Sequence, residues 1–519
     1  MIFKIYKILR PIFFVLLFII SIYSLKFYEG SAVTYLIYCL SFISMLYYLT
    51  DSEASYFEIF FGSYLFLGFW FKYVFSLMLL NGIVFDSGQL KKNNIDEVLN
   101  IATLIALICI LSSFISKKII SSKKIDLLKI KNKSFFENFY LNNRVLTILI
   151  FSIFFILVSF ANINLGIYQR GFINLSEMNL FIKSFVKWLL LFGFTTFSCF
   201  LIHVEISNFK RINFITVMIP LLEIFLSYSS MLSRSFVINA TSLILPTYQK
   251  SLRLKKNHNK LFYIFFVIII FLTGISVYSV NYLRLEKLAV VKYEWKETVS
   301  NKSLVKDSDY SSKIENYNFE VPMKDITSKS SKVLTEEEIK VKRKNEPHKV
   351  YSGDLFKFIL INRWIGIESL IQVHYSGKAS FDLLFNALKE NKTIVNNTFY
   401  ERTFGLSWAK LNVRTKSEAL KGNTLPGIIS FLYYSGNLYF LLISLLLIFL
   451  ISNLFEKFVK KFTNNNLIYA CFISNMIATR LIHFGYAPKD SYLFLLSILL
   501  SVLFIVLLSK IKLDFFNKI

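Results

Sequence analysis

Apolar stretches of about 18 or more residues, almost free of charge, recur along this 519-residue chain. Each is long enough to cross a hydrocarbon core of roughly 30 Å as a helix. With shorter runs among them, the eighth above all, the candidate spans fall at about residues 11–25, 31–50, 56–80, 98–115, 144–163, 184–203, 214–232, 236–248, 261–283, 427–451, 467–483 and 492–509. The chain is therefore expected to be all-α: a polytopic integral membrane protein of about twelve transmembrane helices. Lys4, Lys7 and Arg10 precede the first run and no small-residue cleavage site follows, so that run is expected to be a retained span.

The ninth and tenth runs are separated by the one long water-exposed segment, 284–426, which divides the chain into membrane parts 1–283 and 427–519. Residues 301–349 are rich in Ser, Lys and Glu and poor in aromatics, so they are expected to be mobile. Residues 350–426 mix charged groups with enough Phe, Ile and Leu to order against the membrane face, as the lid or floor of a site.

The net charge of +26 does not mark a nucleic-acid binder, because much of it lies in short segments between apolar runs. The segment KKIISSKKIDLLKIKNK after the fourth run carries seven lysines against one aspartate. Placing both termini in the cytoplasm puts the lysine-rich segments after runs four, eight, ten and twelve inside. The long loop then lies outside, and the acidic DSEAS stretch is an exception. The four cysteines all fall in apolar runs, so neither a disulfide framework nor a Cys metal site is expected in the loop.

On that topology, several polar groups meet at the outer face. Arg170, Arg234, Arg284 and Arg480 sit at span ends, and Arg363 lies in the loop; a guanidinium fork fits phosphate in a bidentate way. The competing reading for each is a helix end anchored at lipid headgroups. Arg480 and His483 are three apart and are expected to share a helix face. Glu368, His374, Asp382, Glu401, His483 and Asp490 are the outer carboxylates and imidazoles available to accept a proton, each also readable as an ordinary surface group. Glu401 and Arg402 are adjacent, as a solvated pair would be. Within the apolar runs, Lys72 and Glu223 need partners: they pair with each other, or line a cavity. Asn239, Thr241 and Pro246 point to an irregular or broken helix beside such a cavity in the eighth run. No glycine-rich phosphate loop, HExxH or G-x-S-x-G motif occurs, which argues against cytosolic nucleotide chemistry.

Five segments in order, NLGIYQRG, SSMLSRS, NRWIGIESL, LPGIISFLYYSG and RLIHFGYAPKD, together with the layout of spans and one late loop, give a chain that resembles the bacterial O-antigen polymerases of the Wzy type. The resemblance implies a glycosyltransferase of the inner (cytoplasmic) membrane that joins undecaprenyl-pyrophosphate-linked oligosaccharide repeats at the periplasmic face. The donor arrives already activated on its lipid, so no cofactor, metal or nucleotide sugar is expected; a chain-length regulator is a possible partner. The resemblance further implies that Arg170, Arg234 and Arg363, with Arg284, Arg480 and His483 behind them, hold pyrophosphate. Glu368 is the favoured base, with His374 and His483 behind it, and Arg363 counts with Glu368 and His374 as catalytic. Residues 301–349 match none of these motifs. The rival expectations are an O-antigen ligase using His374, a lipid-linked oligosaccharide flippase or transporter, and a polyprenyl-phosphate-sugar transferase. For the last, KFYEG offers only Glu29 where paired acids are expected.

Overall fold

A computed structural model describes residues 2–51, 53–79, 95–120, 134–170, 178–233, 235–253, 259–301, 361, 364–390, 399–400, 403–404, 425–485 and 488–510. All regular structure among them is helical. The helices are α1 Ile2–Ser24, α2 Ala32–Leu49, α3 Tyr56–Leu79, α4 Asp96–Ile120, α5 Phe135–Asn142, α6 Arg144–Leu165, α7 Leu180–Phe209 and α8 Phe214–Ser230. They continue with α9 Phe236–Arg253, α10 Asn259–Asn301, α11 Ile367–Tyr375, α12 Phe381–Lys389, α13 Gly427–Leu432, α14 Leu438–Phe462, α15 Leu467–Ile482 and α16 Pro488–Lys510.

Nine helices among the described residues are long and apolar enough to cross a membrane. They answer to nine of the twelve expected runs. The seventh and eleventh runs form shorter apolar helices, α8 and α15. The eighth forms α9, which continues unbroken through Pro246 and so corrects the expected break. Thr247, next to the proline, donates its hydroxyl to Leu243 O (2.6 Å).

One boundary also differs. The tenth run is not continuous: Gly436 adopts φ +67° after α13 and a 3₁₀ turn at Tyr433–Ser435, and Asn437 caps a new helix by accepting from Phe440 N (3.0 Å). The ninth span ends at Val280, close to the expected end, while the helix that carries it, α10, continues to Asn301. Contacts divide the chain into two units, Met1–Val280 with Leu360–Ile519, and Asn281–Ile359. Residues 364–390 belong to the first unit with the membrane helices.

Within that unit α15 is central. It packs on α3, α7, α9, α13, α14 and α16, and most of its side chains are buried. A helix shielded by protein on all sides can carry Ser474, Asn475 and Arg480 that a lipid-facing helix would expel. By contrast, the spans Arg144–Leu165 and Lys260–Val280 are 22% buried against 72% for Tyr56–Leu79 and Leu180–Phe209, so α6 and α10 face lipid while α3 and α7 line the interior.

The two ends of the bundle differ in charge. Lys117 lies over the Tyr48 ring, Lys460 over Tyr56 and Lys510 over Phe462, which gathers the basic ends of α4, α14 and α16. Glu97 begins α4 about 30 Å away, at 1.5 Å per residue. At the basic end the acids have structural partners. Asp51 of the DSEAS stretch meets Arg10 at 3.3 Å. Glu456 accepts from Tyr56 N (3.2 Å), Phe57 N (2.9 Å) and Ser474 Oγ (2.9 Å) and pairs with Lys460 (2.5 Å). Glu456→Ala should therefore lower stability by about 1–3 kcal/mol, because the first turn of α3 loses its acceptors. An unchanged melting temperature in detergent would refute this.

Candidate functional site

The site begins at a local irregularity. Residues Leu67–Phe71 of α3 form a π-helical turn, which widens the helix and shifts everything after it. Gly68 faces the backbone of Ile365 and Gly366: a Cβ on Gly68 would lie 2.1 Å from Ile365 O, and one on Gly366 would lie 2.2 Å from Gly68 O. Only a pair of glycines permits that approach. One turn on, Lys72 Nζ donates to Trp364 O (2.9 Å) and meets Glu368 Oε1 at 2.6 Å, with the two side chains 1% and 4% exposed. Lys72 thus pairs with Glu368, not with Glu223. Glu223 sits among the hydroxyls of Ser227 (3.0 Å), Ser198 (3.3 Å) and Thr195 (3.4 Å).

Two more of the five segments close on the same place. Ser369 Oγ lies 2.8 Å from Pro426 O and 2.9 Å from Ser430 Oγ. Gly427, at φ +70°, donates from its N–H to Phe484 O (3.1 Å); a Cβ there would press on Ile482 O and Ile365. Gly485, at φ +106°, abuts the Pro426 ring, where a Cβ would lie at 2.4 Å. The segments around Gly366, Gly427 and Gly485, more than a hundred residues apart from first to last, pack on one another, and the first of them packs on the π turn of α3.

At the far end of α11, His374 bridges two groups. Its Nε2 lies 2.9 Å from Glu97 Oε2 and its Nδ1 lies 3.0 Å from the Tyr433 hydroxyl, with the two rings stacked at 6.1 Å. An ionised carboxylate only accepts, so with neutral imidazole the ring proton is on Nε2, and Nδ1 accepts from Tyr433. Burial, then Glu97, pushes the Tyr433 phenol above its ordinary range. The neighbouring Asp96 accepts from Tyr28 Oη (2.5 Å) and Ser31 N (3.0 Å), and burial followed by Asp96 likewise raises the Tyr28 phenol.

The remaining expected residues fall elsewhere. Arg170 donates from N to Met231 O (2.9 Å) and from Nη1 to Ser233 Oγ (3.2 Å), and lies over the Tyr228 ring, so the first two segments of the five meet each other. Arg480 donates to Ser491 Oγ (2.9 Å) and lies over Phe494 of α16. His483 caps α15, its Nδ1 2.8 Å from Thr479 O. Asp382 is exposed on the first turn of α12. Arg363, Arg234, Glu401 and Arg402 lie outside the described residues, as do the side chains of Arg284 and Asp490.

Glu97 and Tyr433 were not among the residues singled out from sequence. Glu97 reads there as a first-turn acid opening a span, a placement that the helix dipole alone would favour. No family model, curated protein or solved structure matches this chain.

Proposed function

We propose that this chain is a membrane glycosyltransferase of the O-antigen polymerase kind, joining polyprenyl-pyrophosphate-linked oligosaccharides at the periplasmic face of the bacterial inner membrane. The observation that carries the reading is the close packing at Gly366, Gly427 and Gly485: three of the five segments behind the resemblance lie against one another, and the first of them against Gly68. The gathering of lysines at the end of the bundle opposite Glu97 and His374 supports placing that pair outside. In this reading arginines hold the lipid pyrophosphate and stabilise it as it leaves, while a carboxylate or imidazole takes the acceptor proton.

A ligase that passes the glycan to lipid A core is the second reading, favoured by the way His374 is held between a carboxylate and a phenol. The surface glycans of a deletion strain separate the two on a gel. Loss of the ladder with a single repeat still attached to core is the expected result. Loss of all attached glycan, with long chains left on the carrier, would select the ligase. An unaltered ladder would remove both.

A further inference from the structure

We propose that Tyr433, His374 and Glu97 form the proton relay of the transfer reaction, with Tyr433 meeting the acceptor sugar hydroxyl and Glu97 positioning His374. The proposal rests on the glycosyl-transfer reading above.

Three observations carry it. First, Glu368, the acid nearest in sequence, has its Oε1 committed to Lys72 inside the bundle. Secondly, the groups in line come from three separate places: Glu97 from the start of α4, His374 from α11, and Tyr433 from the 3₁₀ turn after α13. Spacings of 2.9 and 3.0 Å join them in sequence. Thirdly, the relay has a direction. With Nε2–H facing the carboxylate, the lone pair of Nδ1 faces the phenol, so a proton leaving Tyr433 has one acceptor in place. Glu97 is 76% exposed, so water reaches the carboxylate end of the line, while Tyr433 is 8% exposed.

The step balances as follows. The acceptor hydroxyl gives its proton to Tyr433 Oη as Tyr433 gives its own to His374 Nδ1. The oxygen lone pair so released forms the bond to the anomeric carbon of the donor. The bond from that carbon to the lipid pyrophosphate breaks, and its electron pair leaves with the pyrophosphate oxygen. The resulting imidazolium keeps both N–H bonds, one aimed at Glu97, and returns its proton to water afterwards.

The test uses the purified full-length protein in liposomes and lipid-linked single repeats extracted from the deletion strain. Glu97→Gln keeps the shape of the group and removes its charge. It should lower kcat by about tenfold or more, part of the roughly 10²–10⁴-fold that positioned proton transfer supplies, with KM for the lipid-linked repeat unchanged. Glu97→Asp should recover part of the loss. In a His374→Ala background Glu97→Gln should change nothing further, because its effect passes through His374. Tyr433→Phe should match His374→Ala. Turnover of Glu97→Gln at the wild-type rate, or a loss that multiplies with that of His374→Ala, would overturn the relay. Failure of the wild type to extend the repeats at all would instead remove the glycosyl-transfer reading, and the relay with it.

Discussion

Replacing Lys72 with methionine is expected to destabilise the protein by about 3–5 kcal/mol, the range for removing one partner of a buried ion pair. The cation lies 2.6 Å from Glu368 and is 1% exposed, so water does not take its place. Methionine keeps much of the lysine stem, so lost packing contributes little. What remains is a buried carboxylate that has lost its lysine partner and a carbonyl, Trp364 O, without the donor it has now. The energetics also predict a rescue. Lys72→Met with Glu368→Gln should be more stable than Lys72→Met alone, because the second change removes the charge left behind. Unfolding in detergent, followed by tryptophan fluorescence or retention on a sizing column, measures both. A Lys72→Met protein that melts with the wild type would show that the pair contributes nothing to the fold.

That pair marks the limit of what the chain makes legible. The long helices could be read directly, because a hydrocarbon core imposes both length and composition on what crosses it. Lys72 was legible as a buried charge needing a partner, yet its partner was not. Glu368 lies 296 positions later, and no periodicity encodes a contact of that range. The same holds for Glu97 and His374, which meet across 277 positions. The start of α14 was missed because LPGIISFLYYSG carries no charge and runs on into the next apolar stretch, so the turn at Tyr433–Gly436 does not interrupt its hydropathy. The extension of α10 to Asn301 lies in a polar stretch, where the hydropathy that marks a span is silent. Nothing in LGFWF announces a π turn or the segment that packs on it. The glycines of the later segments were visible as part of a pattern, but their reason is steric and lies in their neighbours.

The steric reason makes Gly68→Ala the second change with a large expected effect. A Cβ there would sit 2.1 Å from Ile365 O, well inside van der Waals contact, and the opposing atom belongs to backbone. A flexible side chain in that position would swing away at small cost. A carbonyl held between Trp364, whose own carbonyl accepts from Lys72, and Gly366 has no such freedom. Either the 364–368 segment lifts off α3 or the π turn relaxes, and both movements draw Lys72 from Glu368. A loss of about 3 kcal/mol, the upper end of the usual range for overpacking, is the minimum expected. Gly366→Ala meets Gly68 O at 2.2 Å from the other side and should behave alike. The two together should not simply add, since either one already forces the surfaces apart. Gly274 provides the control: a Cβ there meets nothing within 4 Å, so Gly274→Ala should leave the melting temperature unchanged or slightly raised. If Gly68→Ala and Gly274→Ala prove equally stable and equally active, the contact between α3 and the 364–368 segment is not what holds Lys72 against Glu368.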